Sequence, residues 1–330
     1  MKSKIKWGIL STATIATDHV IPAIISSKLG EVHAVASRTY DKAKIVADKF
    51  SIPKYYSSYE DLLSDSEIEA IYIPLPNHLH VPWSIKCLKA GKHVLVEKLI
   101  GLSSIEAQEL LDETIKYPHL KIMEAFMYRH HPQWIKAKEI VDSGVIGKLK
   151  AIQSFFSFFD DNPNSIVNIK EYGGGSLMDI GCYPISLSRF IFNSEPEEVF
   201  GSIEYHPEFG VDISATALMK FKEGTSSFFS SIQLEEGQQA QIFGTEGKID
   251  FQLPFNPIAN EPSKINLYRN NKAEEIIFEA CDQYSLQADL FSSAIIDDTE
   301  VPTPLKDAVD NMKVIEKIIE SDKLGKPLLL

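Results

Sequence analysis

The sequence predicts a two-domain α/β protein: a parallel sheet covered by helices, then an antiparallel sheet with few helices. Three observations predict it. Short apolar runs alternate with helical patterns through the first third of the chain. After about Met123 the pattern changes to strand-like runs separated by Gly-bearing turns. The length, 330 residues, suits two domains at about 150 residues each. The predicted boundary divides residues 1–123 from residues 124–330.

The strand-like run 5–10 opens the chain, and similar runs follow at 31–37, 70–73 and 93–97. Between them, 41–50 places Ala43, Val46, Ala47 and Phe50 on one helical face, and 81–90 reads as a helix with Gly91 as its C-cap. In the second domain, 148–159 is strand-like and carries Phe155, Phe156, Phe158 and Phe159. The runs 199–205, 214–221, 226–233, 239–243 and 265–268 follow. Lys222-Glu223-Gly224, Glu235-Glu236-Gly237 and Thr245-Glu246-Gly247 supply turns. A closing helix over about 305–321 puts Ala308, Met312, Ile315 and Ile319 on one face. It is expected to pack back toward the first domain.

Composition narrows the function. Hydrophobic residues make up 44% and charged residues 24%, a globular composition that excludes disorder for most of the chain. A net charge of −13 argues against a nucleic-acid or anionic-membrane partner, which needs a basic footprint. It leaves room for a local basic pocket for one phosphate. Cys87, Cys182 and Cys281 are too few and scattered for a disulfide framework, and no Cys/His spacing suits a metal ion. Reduced thiols suit the cytoplasm. Lys2, Lys4 and Lys6 before Trp7-Gly8-Ile9-Leu10 imitate a leader peptide, but Ser11, Thr12 and Thr14 break the apolar run, and Asp18 and His19 follow. No apolar run approaches the ~18 residues of a membrane span.

The turn after the first strand reads Gly8-Ile9-Leu10-Ser11-Thr12-Ala13-Thr14-Ile15-Ala16. A dinucleotide-binding turn usually shows G-x-G-x-x-G; here the glycine positions hold Ser11, Ala13 and Ala16. These residues are still small, so backbone N–H groups can approach a pyrophosphate at a helix N-terminus. Such a run equally suits a plain capped turn. The end of the second strand says more. Sheets that bind NAD usually carry an acid there for the ribose 2′-hydroxyl. This chain has Ser37-Arg38-Thr39, and a hydroxyl beside a guanidinium suits the 2′-phosphate of NADP over NAD. The alternative for Arg38 is a solvated surface charge.

Four segments in order resemble one known family. They are Trp7-Gly8-Ile9-Leu10-Ser11-Thr12-Ala13, Gly91-Lys92-His93-Val94-Leu95-Val96-Glu97-Lys98, Glu124-Ala125-Phe126-Met127-Tyr128-Arg129, and Gly173-Gly174-Gly175-Ser176-Leu177-Met178-Asp179-Ile180-Gly181-Cys182-Tyr183-Pro184. Together they resemble the glucose–fructose oxidoreductase / inositol dehydrogenase / rhizopine catabolism (Gfo/Idh/MocA) family. The branch they resemble holds NADP-dependent D-xylose dehydrogenases and dimeric dihydrodiol dehydrogenases. The resemblance implies an N-terminal Rossmann domain, then an α/β domain with a large open, mostly antiparallel sheet. It implies hydride transfer between a nicotinamide and a sugar or cyclic-alcohol carbon. It places Lys98 by the nicotinamide and substrate hydroxyl, with Asp179 and Tyr183 acting from the second domain. Many members carry His where Tyr183 stands. Cofactor contacts are implied for Gly8, Ser11, Thr12, Ala13, Thr14, Ile15, Ser37, Arg38, Pro74, Pro76, Asn77, His80, Glu97 and Lys98, and substrate contacts for Arg129 and Asp179. One departure stands out: Leu99 replaces the proline after the lysine, which in the family often follows a cis bond. A non-proline cis bond costs ~3 kcal/mol. Whether the Lys98–Leu99 peptide is cis or trans is therefore left open, and the aim of Lys98 with it.

The residue types fit the chemistry. Oxidising an alcohol removes a hydride, which the nicotinamide takes, and a proton, which needs a base. The reference tyrosine pKa of ~10 is too high for that task at neutral pH. A nearby ammonium lowers it by stabilising the phenolate, and Lys98 is the candidate. Four-residue helical spacing puts Asp179 and Tyr183 on one face, where Asp179 can hold a second substrate hydroxyl. Each residue has a structural alternative. Lys98 can be a terminal charge, Asp179 the cap of a helix running to Phe192, Tyr183 a packing residue, and Arg129 a salt-bridge partner. Gly173-Gly174-Gly175 is either a flexible loop or a close approach to substrate. The expectation is an NADP-dependent oxidoreductase of a sugar (aldose or ketosugar) or cyclic diol, a homodimer or tetramer through the large sheet. The alternative is a catalytically silent NADP-binding regulator of the same fold.

Overall fold

Apolar runs buried along most of their length form five of six short strands, and the third is half-buried. They are β1 (Ile5–Leu10), β2 (Gly30–Ala36), β3 (Lys54–Tyr56), β4 (Ala70–Ile73), β5 (His93–Glu97) and β6 (Ile122–Ala125). The structure, a computed structural model, describes residues 4–330; Lys2 of the leader-like pattern lies outside them. Strands buried on both faces favour parallel pairing under helices. All five pairings are parallel, in the order β3-β2-β1-β4-β5-β6, the doubly wound order of dinucleotide-binding sheets. A π-turn at Ala16–Val20 leads into α1 (Ile21–Ser26); α2 (Tyr40–Phe50), α3 (Tyr59–Leu63), α4 (His80–Lys89) and α5 (Ser104–Thr114) make the other connections. Ser58 and Ser103 cap α3 and α5 by accepting from Asp61 N and Glu106 N. The α2 face is as expected, with Ala43, Val46 and Ala47 buried.

Beyond β6 the pattern changes, as the sequence predicts. After α6 (Pro132–Asp142) come β7 (Leu149–Phe159) and α7 (Cys182–Phe192). Then follow β8 (Glu198–Tyr205), β9 (Asp212–Lys220), β10 (Thr225–Ser231), β11 (Gln233–Gly244), β12 (Gly247–Phe251), β13 (Ser263–Arg269) and β14 (Lys272–Phe278). With the terminal β15 (Leu328–Leu329) they form one sheet in the order β14-β13-β12-β11-β7-β10-β9-β8-β15. The β7–β10 pair is parallel and the rest antiparallel. One face of the sheet takes α7 and α9 (Leu305–Leu324). Gly201 of β8 allows the α9 contact, since a Cβ there would lie 2.6 Å from the Ile318 carbonyl.

The chain divides into two units: residues up to Met127 with Asp282–Val309, and Tyr128–Cys281 with Asp310–Leu330. The division falls close to the expected boundary at 123 and adds Asp282–Val309 to the first unit. Most of α9 belongs to the second unit, while α8 (Gln283–Ile296) returns to the first. Phe291 on α8 is fully buried, its ring 5.6 Å from Trp7 of β1. Asp289 accepts from Ser27 Oγ at 2.5 Å and from the N–H groups of Lys28 and Leu29 at 3.0 Å. The sequence hides α8 because its buried side includes Gln283, Gln287 and Ser292, which blur an apolar stripe. Among the described residues no helix is long and apolar enough to cross a membrane.

Phe291→Ala should lower the unfolding free energy by about 3–5 kcal/mol through lost burial and the cavity left behind. Urea denaturation checks this. A loss below about 1 kcal/mol would mean that α8 is not part of the first unit's core.

Candidate active site

The turn after β1 is built from small residues. Ser11 sits at φ 140°, a region that ordinarily selects glycine, and its Oγ accepts from Ala13 N at 3.1 Å. Thr12, Ala13 and Ile15 are half-buried and Thr14 is exposed, just ahead of the π-turn. Gly8 stands before the turn, within the strand. It is buried within β1, and a Cβ there would lie 2.7 Å from Leu62 and 3.0 Å from Ile71. Its smallness serves packing under α3. At the end of β2, Ser37 is buried and Arg38 is exposed. No carboxylate among the described residues pairs with Arg38. Tyr59 of α3 lies beside Ser11 and within reach of the Arg38 charge, and burial raises its phenol pKa. Tyr59 carries no motif, so the sequence did not single it out. A small-residue turn at a helix start and an unpaired Arg at the second strand fit a dinucleotide with a 2′-phosphate.

The carboxyl end of β5 is held on every side. Glu97 is 8% exposed; Tyr72 donates its hydroxyl to Glu97 Oε1 at 2.6 Å, and Lys98 N donates to Oε2 at 3.3 Å. The Lys98–Leu99 peptide, left open between cis and trans by the sequence, is cis. His80 lies with one ring nitrogen 2.5 Å from the Leu99 carbonyl and the other 2.5 Å from the Leu75 carbonyl. Complete burial pushes its pKa down to about 4 while the two carbonyls pull it up, and a neutral ring donates to only one of them. His80 lies between the Leu75 and Leu99 backbones. Ile100 N donates to Glu124 Oε1 at 2.7 Å. Lys98 itself is half-buried, as are Pro76 and Asn77 after β4, whereas Pro74 is buried. Tyr284 of α8 was not foreseen. Its ring stacks on His19 at 5.1 Å, and burial, then the Glu97 charge, raises its pKa while Lys98 lowers it.

In the second unit, a π-turn at Leu177–Gly181 runs directly into α7. Asp179 is in that turn, half-buried, and Tyr183 is in the first turn of α7, 4% exposed. The Tyr183 ring is set among Tyr128 at 5.7 Å, Phe156 at 5.7 Å and Phe255 at 5.3 Å between centroids. Tyr128 is fixed in turn by its hydroxyl, which meets Ser186 Oγ at 2.8 Å. The alternative of Asp179 as the helix cap does not hold, because Leu177 N donates to Asp212 Oδ2 at 2.6 Å. The glycine run is neither a loose loop nor an evident substrate approach. A Cβ at Gly174 would lie 2.5 Å from the Val167 carbonyl, and one at Gly175 would overlap the Asp212 carboxylate. Arg129 lies over Phe190 of α7 at 4.8 Å, a cation–π contact. Beside it, burial and then Arg129 push His130 down to about 4.

With this geometry in place, known proteins of the same build can be compared. Residues 5–124 match the model of an oxidoreductase family with an NAD-binding Rossmann fold, and residues 134–250 match that of the GFO/IDH/MocA C-terminal domain. The NADP-dependent D-xylose 1-dehydrogenase 2 of Haloferax volcanii is 33% identical over 97% of this chain and 98% of its own. Trans-1,2-dihydrobenzene-1,2-diol dehydrogenase of Xenopus tropicalis is 34% identical over 76% of this chain and 75% of its own. Among solved structures, a 3-ketoreductase from Actinomadura kijaniata in complex with NADP and TDP-benzene superposes with a TM-score of 0.90 at 27% identity, covering 97% of this chain and 98% of that one. Variants of that ketoreductase with a tyrosine replaced by phenylalanine, or a lysine replaced by alanine or glutamate, match as well.

An Arg–phosphate contact contributes about 1.5–3 kcal/mol. Arg38→Ala should therefore weaken NADPH binding roughly ten- to a hundredfold and leave NADH binding nearly unchanged. Fluorescence titration of both cofactors checks this; equal losses for the two would remove Arg38 from 2′-phosphate recognition.

Proposed function

The chain belongs to the GFO/IDH/MocA oxidoreductase family, and on that premise we propose an NADP-dependent oxidoreductase acting between a carbinol and a carbonyl carbon of a sugar or cyclic diol. The observation that carries this is Lys98, a half-buried ammonium at the carboxyl end of β5. Parallel sheets of this kind bind their ligands at the carboxyl ends of the strands, and the neighbours of Lys98 are fixed through Glu97, Leu99 and Ile100.

NADP, when bound, supplies or accepts the hydride. The remaining work falls to side chains. Lys98 stabilises negative charge on the reacting oxygen, an electrostatic role that a fixed ammonium performs better than water. Tyr183 takes the proton during oxidation and returns it during reduction. Asp179 accepts a hydrogen bond from a second substrate hydroxyl and so orients the ring, and Arg129 is a further candidate for substrate contact. Ser37 and Arg38 hold the 2′-phosphate, and the backbone from Ser11 to Ile15 cradles the pyrophosphate. Named sugar and diol dehydrogenases and sugar reductases among the relatives support this reading. A catalytically silent regulator has no such support, since Lys98, Asp179 and Tyr183 are all present. Reduced thiols favour the cytoplasm. The open face of the second sheet, where Phe155 and Phe229 stack at 4.8 Å, is our candidate homodimer contact.

Tyr183→Phe removes one oxygen and little volume. NADP binding should survive while turnover falls about 10²–10⁴-fold, the usual worth of a general base. A mutant within about tenfold of wild type would mean the proton leaves by another route. Lys98→Met keeps the stem and deletes the charge, and the chemical step should slow about a hundredfold or more. Single-turnover kinetics with NADPH and a carbonyl sugar reads that step; a near-normal rate would remove Lys98 from the reaction.

A further inference from the structure

The helix that carries Asp179 and Tyr183 begins on a buried carboxylate. Asp212, the first residue of β9, is 8% exposed. It accepts the Leu177 N–H at 2.6 Å, and the Ser176 N–H and its own N–H also bond to it. No cation among the described residues pairs with it. Gly175, at φ +116°, leaves the space that the carboxylate fills. One residue on, Ser176 Oγ meets Ser230 Oγ of β10 at 2.7 Å, so two strands fix where the helix starts.

This arrangement has an energetic sign. Burial raises the Asp212 pKa to about 6, and the backbone N–H groups only partly offset it. The folded chain therefore holds this proton more tightly than the unfolded chain, and stability is lost as pH rises from the ordinary carboxylate range through about 6. At neutral pH the ionised group is a cost to the fold. What the charge does in return is satisfy orphan N–H groups at the positive end of the helix.

We propose that Asp212 is a positioning residue whose carboxylate sets the helix start from which Asp179 and Tyr183 project. The inference rests on the reading of those two residues as reacting groups. The titratable groups around Asp212 are Tyr205, directly opposite it in the β8–β9 ladder, Asp322 of α9, which also acts on Tyr205, and Lys170 and His206 by the β8–β9 turn.

The test uses the full chain labelled with ¹³C at tyrosine Cζ, the Tyr183 signal being the one lost in Tyr183→Phe. In wild type the Tyr183 signal should shift with a midpoint near pH 6. In Asp212→Asn that response should vanish, and kcat should fall about tenfold or more from misplacement of the helix. NADP affinity should hold, and the melting temperature above neutral pH should not drop. A purely stabilising residue would lower the melting temperature and leave kcat of the folded fraction alone. A Tyr183 signal and pH response unchanged in Asp212→Asn overturn the inference. Should Asp212→Asn fail to bind NADP, the wild-type titration decides, and the absence of an inflection near pH 6 overturns it. A moved signal with unchanged kcat leaves Asp212 as the positioning group and removes Tyr183 from the chemistry instead.

Discussion

The carboxyl end of β5 is the constraint on which the rest depends. A lysine side chain has four rotatable bonds and places its charge only as well as its backbone is placed. Here the residues flanking Lys98 are tied to three other elements: Glu97 to Tyr72 of β4, Leu99 to His80 of α4, and Ile100 to Glu124 of β6. These partners are buried, so each bond is made in a low dielectric where leaving it unmade is expensive. His80 illustrates the logic. A fully buried imidazole between two carbonyls anchors the segment that holds Lys98.

The second unit solves the same problem with different means. Tyr183 is held by ring packing against Tyr128, Phe156 and Phe255, and its helix by the N-terminal contacts to Asp212 and Ser230. Aromatic packing immobilises a ring at little entropic cost, since only two torsions are frozen. The arrangement is stiff where function is proposed and more open elsewhere. The 160–171 stretch, for example, is mostly exposed and relies on Asn168 bonding back to Asp160 and Asn162.

Legibility in the sequence followed the range of the interaction. Strands β1, β2, β4 and β5 were readable because burial on both faces gives continuous apolar runs. Three-residue, half-buried β3 offers no such run. The small-residue turn and Arg38 were proposed from local spacing, and Lys98, Asp179 and Tyr183 from segments whose order resembled a family. What depends on distant partners was not readable. Asp212 meets the helix start across 35 positions, and Tyr284 reaches Glu97 and Lys98 only after the chain has crossed the whole second sheet. The packing of Gly8 against Leu62 and Ile71 and the burial of His80 were likewise out of reach, because both depend on elements distant in the chain.

The central claim is that this chain moves a hydride between NADP and a carbinol carbon. Deuterium tracing tests it without assuming a rate or a residue. The protein is incubated with NADP and a panel of aldoses deuterated at C1, D-xylose among them, and cyclic diols deuterated at the carbinol carbons. The recovered cofactor is then analysed by mass spectrometry. The proposal predicts NADPH one deuteron heavier with at least one substrate, the label on the nicotinamide ring. Recovery of unlabelled, unreduced NADP across the whole panel, from protein shown to bind NADP, would contradict it.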